Sequence, residues 1–265
     1  HPSRERKARV LEKLGQTNEA INYVAEICND WRCEEERHFV HVISKRLKRN
    51  LDLPYQLDEI PRVPSQELVI PRNPDLLIEE DVLQNLSCNA GWHTQNAIWK
   101  ALFGLIFWDV IFASIPGAFE NRFQFGPLDL YQPEFVVRRR ELINTRLAEI
   151  ESHKELTRII ERHFGEKAGI ANEFVQWHDD LETQIELLLA NIPHESLLGF
   201  CNVMLSDLRA YRRGFPDLMI HNEHGVEFWE VKGTGDVLSP IQRRWLQEFK
   251  RLGIPCGVLK VKVEG

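Results

Sequence analysis

Two β-rich segments, FPDLMIH from Phe215 and VEFWEVKG from Val226, are separated only by a short polar stretch that ends in Gly225. Segments this close are predicted to pair as a hairpin. Strand side chains alternate between faces, so Glu230 and Lys232 share a face, and the antiparallel return brings Asp217 beside them. Two carboxylates and an amine thus converge in a run that otherwise reads as buried strand. Hard divalent cations such as Mg²⁺ take oxygen ligands and suit phosphate substrates, so a two-carboxylate edge is a candidate metal site. A lysine beside it can orient an attacking water or offset charge in a transition state. An isolated E-x-K triplet is most often a solvated surface pair. The combination of Pro216-Asp217 thirteen residues upstream of Glu230 and Gln242 one turn into a capped helix is far more specific than any of its parts.

The surroundings support a folded core. The 265 residues are 43% hydrophobic, enough for one large domain or two smaller ones. Ser239 and Pro240 read as an N-cap and N1 pair, and Ile241, Trp245, Leu246, Phe249 and Leu252 form the apolar face of the following helix. GVLKVKV is the last strand, and HESLLGFCNVMLSDLRAYRR, with Leu197, Leu198, Val203, Met204 and Leu208 inward, is a helix stopped by Gly214. The catalytic core is therefore expected over residues 194–265 as helix, strand, strand, helix, strand.

Upstream, WHTQNAIWKALFGLIFWDVIFASIPGAFE reads as a deeply buried helix, with Gln95, Ile98, Leu102, Leu105, Ile106 and Asp109 on one inward stripe. Residues 134–190 read as long charged helices forming an insertion or cover. Residues 4–50 are helical as well, with Val10, Leu11 and Leu14 and then Ala20, Ile21, Val24 and Ile27 as apolar stripes around a Gly15 turn. LEKLGQTNEAI resembles the turn of a tetratricopeptide-type repeat, although one copy cannot make a solenoid. The five prolines between Leu51 and Asp75 mark a linker or extended crossover, which puts the domain division at residues 1–75 and 76–265.

Five scattered cysteines form neither a disulfide framework nor a zinc spacing. No charge-free apolar run approaches the ~20 residues needed to span a bilayer, and the first residues lack a secretory core, so an intracellular protein with no membrane partner is expected. A start at His1 inside a helical pattern points to a fragment. The net charge of −7 argues against a nucleic-acid partner in sum, but residues 201–265 carry ten Lys or Arg against eight Asp or Glu, leaving room for a basic C-terminal face.

GFPDLMIHN, FWEVKGTGDVLSPIQRRWL and FENRFQFGPLDL together resemble the virus-type replication-repair nuclease (VRR-NUC) module of the Fanconi-associated nucleases, within the PD-(D/E)xK superfamily. The resemblance covers about residues 76–265 and implies an α/β fold: a restriction-endonuclease-like mixed sheet flanked by helices, plus the helical, tetratricopeptide-like N-terminal segment. It implies Asp217 and Glu230 as metal ligands together with the Val231 carbonyl, Lys232 as the water-positioning lysine, and Gln242 as an active-site polar group. Mg²⁺ or Mn²⁺ would be the cofactor. DNA with single-strand/double-strand junctions, above all 5′ flaps, would be the substrate, with 5′ exonuclease action and crosslink repair in nucleus or nucleoid. Any protein partners stay unnamed.

One departure stands out. Where the family carries a catalytic Glu in an H-x-E pattern, this chain reads HTQN, with Gln95 at that place. Gln keeps an oxygen but loses the charge, so weaker metal binding and impaired turnover are expected. Either the natural protein carries Gln, or the residue was altered to hold substrate intact, and the second is preferred. Arg209, Arg212 and Arg213 before Asp217, and Arg243 and Arg244 after Gln242, are candidate DNA contacts. Arg138, Arg139 and Arg140 are weaker ones, and His93 lies near the metal edge without being required there. A junction resolvase or restriction-type endonuclease, and a noncatalytic DNA-binding scaffold, are the alternative readings.

Overall fold

A computed structural model describes residues 2–32, 34–47, 62–121 and 123–263, which divide into two units, residues 1–60 and residues 61–265.

The described residues of the first unit hold three helices: α1 (Pro2–Lys13), α2 (Thr17–Asn29) and α3 (Glu34–Leu47). Gly15 turns the chain between the first two with φ +76°. The predicted stripe of α2, Ala20, Ile21, Val24 and Ile27, is buried, and all but Ala20 belong to a small core with Phe39, Val40, Ile43 and Leu47. Of the expected stripe Val10, Leu11 and Leu14, only Leu11 is half-buried; Val10 and Leu14 are exposed, and Ala8 is buried. The described residues hold no second copy of the helical pair, so the likeness to a tetratricopeptide turn remains local. Residues 51–61 of the proline-rich stretch lie outside the described residues.

The second unit begins earlier than the proline pattern predicts. β1 (Ser65–Ile70) falls inside the stretch read as linker and pairs as an edge strand, a position where flanking Pro64 and Pro71 are tolerated. Then come α4 (Ile78–Asn85), β2 (Ala90–His93), α5 (Ala97–Ile106) and α6 (Trp108–Ile111). The helical region follows as α7 (Glu134–Arg138), α8 (Arg140–Glu149), α9 (His153–Lys167) and α10 (Leu181–Asn191). The C-terminal part is α11 (His194–Ser206), α12 (Leu208–Tyr211), β3 (Leu218–Asn222), β4 (Gly225–Lys232), α13 (Pro240–Arg251) and β5 (Cys256–Val263).

The five strands form one mixed sheet in the order β1-β5-β4-β3-β2, parallel across β1, β5 and β4 and antiparallel across β4, β3 and β2. Its two faces are both covered. Leu218, Ile220, Trp229, Val231 and Leu259 pack on one side with Val82 of α4. Met219, Phe228 and Val258 join the larger core on the other side, which α5, α9, α10, α11 and α13 fill. Trp99 sits at its centre, with the rings of Phe200, Phe228 and Phe249 at 4.6 to 4.9 Å. No helix among the described residues is long and apolar enough to cross a membrane.

Two predicted helices are broken. The buried helix ends at Ile106, and Phe107 (φ −102°, ψ 21°) turns the chain into α6. Asp109 therefore leaves the inward stripe: half of its side chain is exposed (50%), and its Oδ2 accepts from Arg146, Arg162 and His163 at 3.0 to 3.1 Å. Burial pushes this carboxyl up, but His163 and Arg146 outweigh that and hold it below the ordinary carboxylate range. The second break is at Asp207, whose side chain caps α12 by accepting from the Ala210 N–H at 3.0 Å.

Candidate active site

The hairpin register pairs Leu218 with Trp229, which sets Asp217, one residue before β3, opposite Glu230. Asp217, Met219, Phe228, Glu230 and Lys232 consequently share the face that meets the larger core. The approach to Asp217 is tightly held. Gly214 has φ +88°, and a Cβ there would come within 2.9 Å of Ile241. The Trp245 indole N–H donates to the Tyr211 and Arg213 carbonyls at 3.0 and 3.1 Å, and the Asn96 amide oxygen accepts from the Gly214 N–H at 2.7 Å.

Glu230 is fully buried (0% exposed). Its Oε1 accepts from Lys232 Nζ at 2.6 Å and from the Gln242 amide, while Oε2 is buried with no hydrogen-bond partner among the described residues. Burial, and then the nearby Asp217 charge, push its carboxyl up to about 7. Burial also raises Asp217, against the Val231 N–H that donates to its Oδ2 at 3.0 Å. Gln242 serves two structures at once. Its Oε1 accepts from the Ser239 N–H, closing the capping box of α13, and its Nε2 orients Glu230.

Gln95 does not lie where the periodicity predicts. It precedes α5, is exposed, and adopts φ +42° in the left-handed region. The cause is a two-pronged clasp: the Thr94 and Gln95 N–H groups both donate to the Asp217 carbonyl, at 2.8 and 2.9 Å. Position 95 is thus presented outward from the backbone of the same residue that supplies the first carboxylate, rather than inward along the helix.

The structure adds one residue that the sequence pattern missed. Glu79, in the first turn of α4, has a carboxylate oxygen within 4.8 Å of one from Asp217 and of a His93 ring nitrogen. An acidic residue at a helix start is so common, for reasons of the helix dipole alone, that LLIEED carries no signal for it. His93 Nε2 is buried and without a partner among the described residues, as Glu230 Oε2 is. Two buried, unpaired polar atoms beside a cluster of carboxylates are what a divalent cation would satisfy, and this donor set fits one.

The arginines divide. Arg209, Arg213 and Arg243 are exposed. The Arg212 guanidinium lies 4.4 Å from the Tyr131 ring centroid, and Arg244 lies 5.5 Å from that of Tyr211. Arg138 and Arg139 do structural work: both pair with Asp129, and Arg139 is fully buried, donating to the Val110 carbonyl at 3.1 Å. Arg140 is exposed at the start of α8.

Comparison with known proteins agrees with this fold. Residues 151–263 match the VRR-NUC domain. The chain is 32% identical to the Fanconi-associated nuclease 1 homologue of Pseudomonas aeruginosa over 99% of its own length and 48% of that protein's. It is 33% identical to human Fanconi-associated nuclease 1 over 66% of its length and 18% of the human protein. Among solved structures, paFAN1 bound to DNA with a 2-nucleotide 5′ flap and a gap superimposes with a TM-score of 0.85 at 30% identity, covering all of this chain and 50% of that one. The chain spans half or less of the relatives it matches.

Proposed function

Because this chain carries a VRR-NUC domain and belongs among the Fanconi-associated nucleases, we propose that it is a metal-dependent, structure-specific DNA phosphodiesterase. Its substrates are DNA junctions with a single-stranded 5′ end, cut as flaps or trimmed as a 5′ exonuclease, in repair that includes interstrand crosslinks. The 5′-flap DNA held by the related paFAN1 structures supports this choice of substrate.

The single observation that carries the reading is the buried Glu230, held on one oxygen by Lys232 and Gln242 and bare on the other, directly across the hairpin from Asp217. Asp217, Glu230 and the Val231 carbonyl, together with Glu79, His93 and position 95, would hold Mg²⁺ or Mn²⁺. The bound cation would offset charge on the phosphoryl oxygens and ease deprotonation of the attacking water. Lys232, hydrogen-bonded to Glu230, orients that water beside the reacting phosphate. Gln242 fixes the rotamer of Glu230 without adding charge. Arg209, Arg213 and Arg243, exposed beside this edge, contact backbone phosphates, and Arg212 and Arg244, each lying on a tyrosine ring, do so with less freedom.

Gln95 supplies a neutral oxygen where the reading wants a carboxylate, and that observation favours a second reading in which the chain binds junctions without cutting them. The substitution Gln95→Glu separates the two. Cleavage of 5′-flap DNA with Mg²⁺ or Mn²⁺ should rise by at least about tenfold. A variant that binds flap DNA yet stays inert with either cation would leave the scaffold reading in its place.

A further inference from the structure

A continuous chain of contacts leads from Asp217 to an exposed aromatic loop. Asn96, next to Gln95, accepts from the Gly214 and Phe215 N–H groups at 2.7 and 3.2 Å, and its own carbonyl accepts from the Lys100 N–H at 3.2 Å. Arg212, two residues before Gly214, lies over the Tyr131 ring, and the Tyr131 hydroxyl donates to Glu173 at 2.7 Å. The Glu173 N–H in turn donates to the Phe125 carbonyl at 2.7 Å. That last bond anchors a loop on which Phe125 is 60% exposed and Phe123 77% exposed.

Along this strip two cations, Lys100 and Arg212, face one carboxylate, Glu173. The Lys100 ammonium is disfavoured first by burial and also by Arg212, with Glu173 as its counterweight, so an added anion would relieve the excess. Exposed aromatic rings following a cationic pair are the elements that grip single-stranded nucleic acid: phosphates meet the charges and unpaired bases stack on the rings. Bases inside a duplex offer no free face to Phe125.

Resting on the nuclease reading above, we propose that this strip is a track for single-stranded DNA leaving the catalytic edge. Lys100 and Arg212 seat a backbone phosphate, and Phe125, with Phe123, stacks on the unpaired bases beyond it.

Binding of the whole chain to a labelled oligo(dT) and to a blunt hairpin duplex, followed by anisotropy in EDTA, tests this without cleavage. Phe125→Ala should lower the ratio of single-strand to duplex affinity by about fivefold or more, and Phe125→Trp should keep it. Lys100→Gln should flatten the salt dependence of single-strand binding by about 0.7 in log–log slope. Photo-crosslinking with 5-iodouracil in the oligonucleotide should mark Phe123 or Phe125. An unchanged ratio in Phe125→Ala, crosslinks confined to other segments, or no single-strand binding by the parent chain would each overturn the track. Phe125 is exposed, so its replacement leaves the core intact and the comparison readable. Flap cleavage by Gln95→Glu alongside an unaffected Phe125→Ala ratio removes the track and keeps the nuclease. Loop crosslinks with an inert Gln95→Glu keep the track and remove the nuclease.

Discussion

The side chain of Asp217 is fastened to the backbone of Val231, whose N–H donates to Oδ2 at 3.0 Å, so the carboxylate before β3 is locked to the strand that carries Glu230 and Lys232. Neither partner can shift along the hairpin without breaking the site.

That lock separates catalysis from binding. In the Gln95→Glu background, Asp217→Ala should abolish flap cleavage while affinity for the same DNA in EDTA changes by no more than about threefold, because phosphate contacts rather than the metal edge dominate affinity. Gel-shift and cleavage assays on one preparation check both halves. Loss of binding together with cleavage would contradict the assignment.

Glu230 should leave a signature in the pH dependence of stability. Its carboxyl is pushed up to about 7, above the ordinary value of 4.5, so between those values the folded chain holds a proton that the unfolded chain releases. Stability from this group is full below about 4.5 and is lost as pH rises through about 7. In EDTA, urea midpoints should fall across that window, and Glu230→Gln should flatten the fall. A parent chain with a level profile would refute the shift.

Glu79 and His93 are expected to help hold the cation. Glu79→Gln or His93→Gln should weaken Mn²⁺ binding, read by electron paramagnetic resonance or calorimetry without DNA, by about tenfold. Unchanged affinity in both variants would confine the metal site to the hairpin.

These two residues also show where the sequence stops being informative. The relative placement of Asp217, Glu230, Lys232 and Gln242 is legible because period-two alternation, a short turn and a capping box fix it locally. Glu79 reaches Asp217 only through the packing of α4 against the sheet, a contact across more than a hundred residues that no spacing encodes. β1 was hidden by its prolines, which read as linker until the strand is known to lie at the sheet edge. Extending the α5 period past the helix start puts Gln95 inward, whereas hydrogen bonds to the Asp217 carbonyl turn it outward.

The sheet makes a prediction of its own. Gly257 lies across from Trp229 in the β4–β5 register, and a Cβ there would sit 2.5 Å from the indole ring. Gly257→Ala should therefore destabilise the second unit by about 1–3 kcal/mol, seen in denaturant melts. A stability within experimental scatter of the parent would show that Trp229 has room to move.

Arg139 should behave as a core residue despite its charge. Replacing it with Ala removes one partner of Asp129, which keeps Arg138, and a donor to the Val110 carbonyl, and should cost about 1–3 kcal/mol. DNA affinity of the remaining folded protein should match the parent. A selective fall in affinity at unchanged stability would return Arg139 to the DNA surface.

The clasp of Thr94 and Gln95 on the Asp217 carbonyl uses only main-chain atoms, so it holds position 95 in place whatever side chain stands there. Gln and Glu differ there by one atom's identity and one charge, and their codons by a single nucleotide. On the reading in which Gln95 silences the site, a lineage passes between a cutting and a merely gripping protein in one mutational step, with no refolding in between.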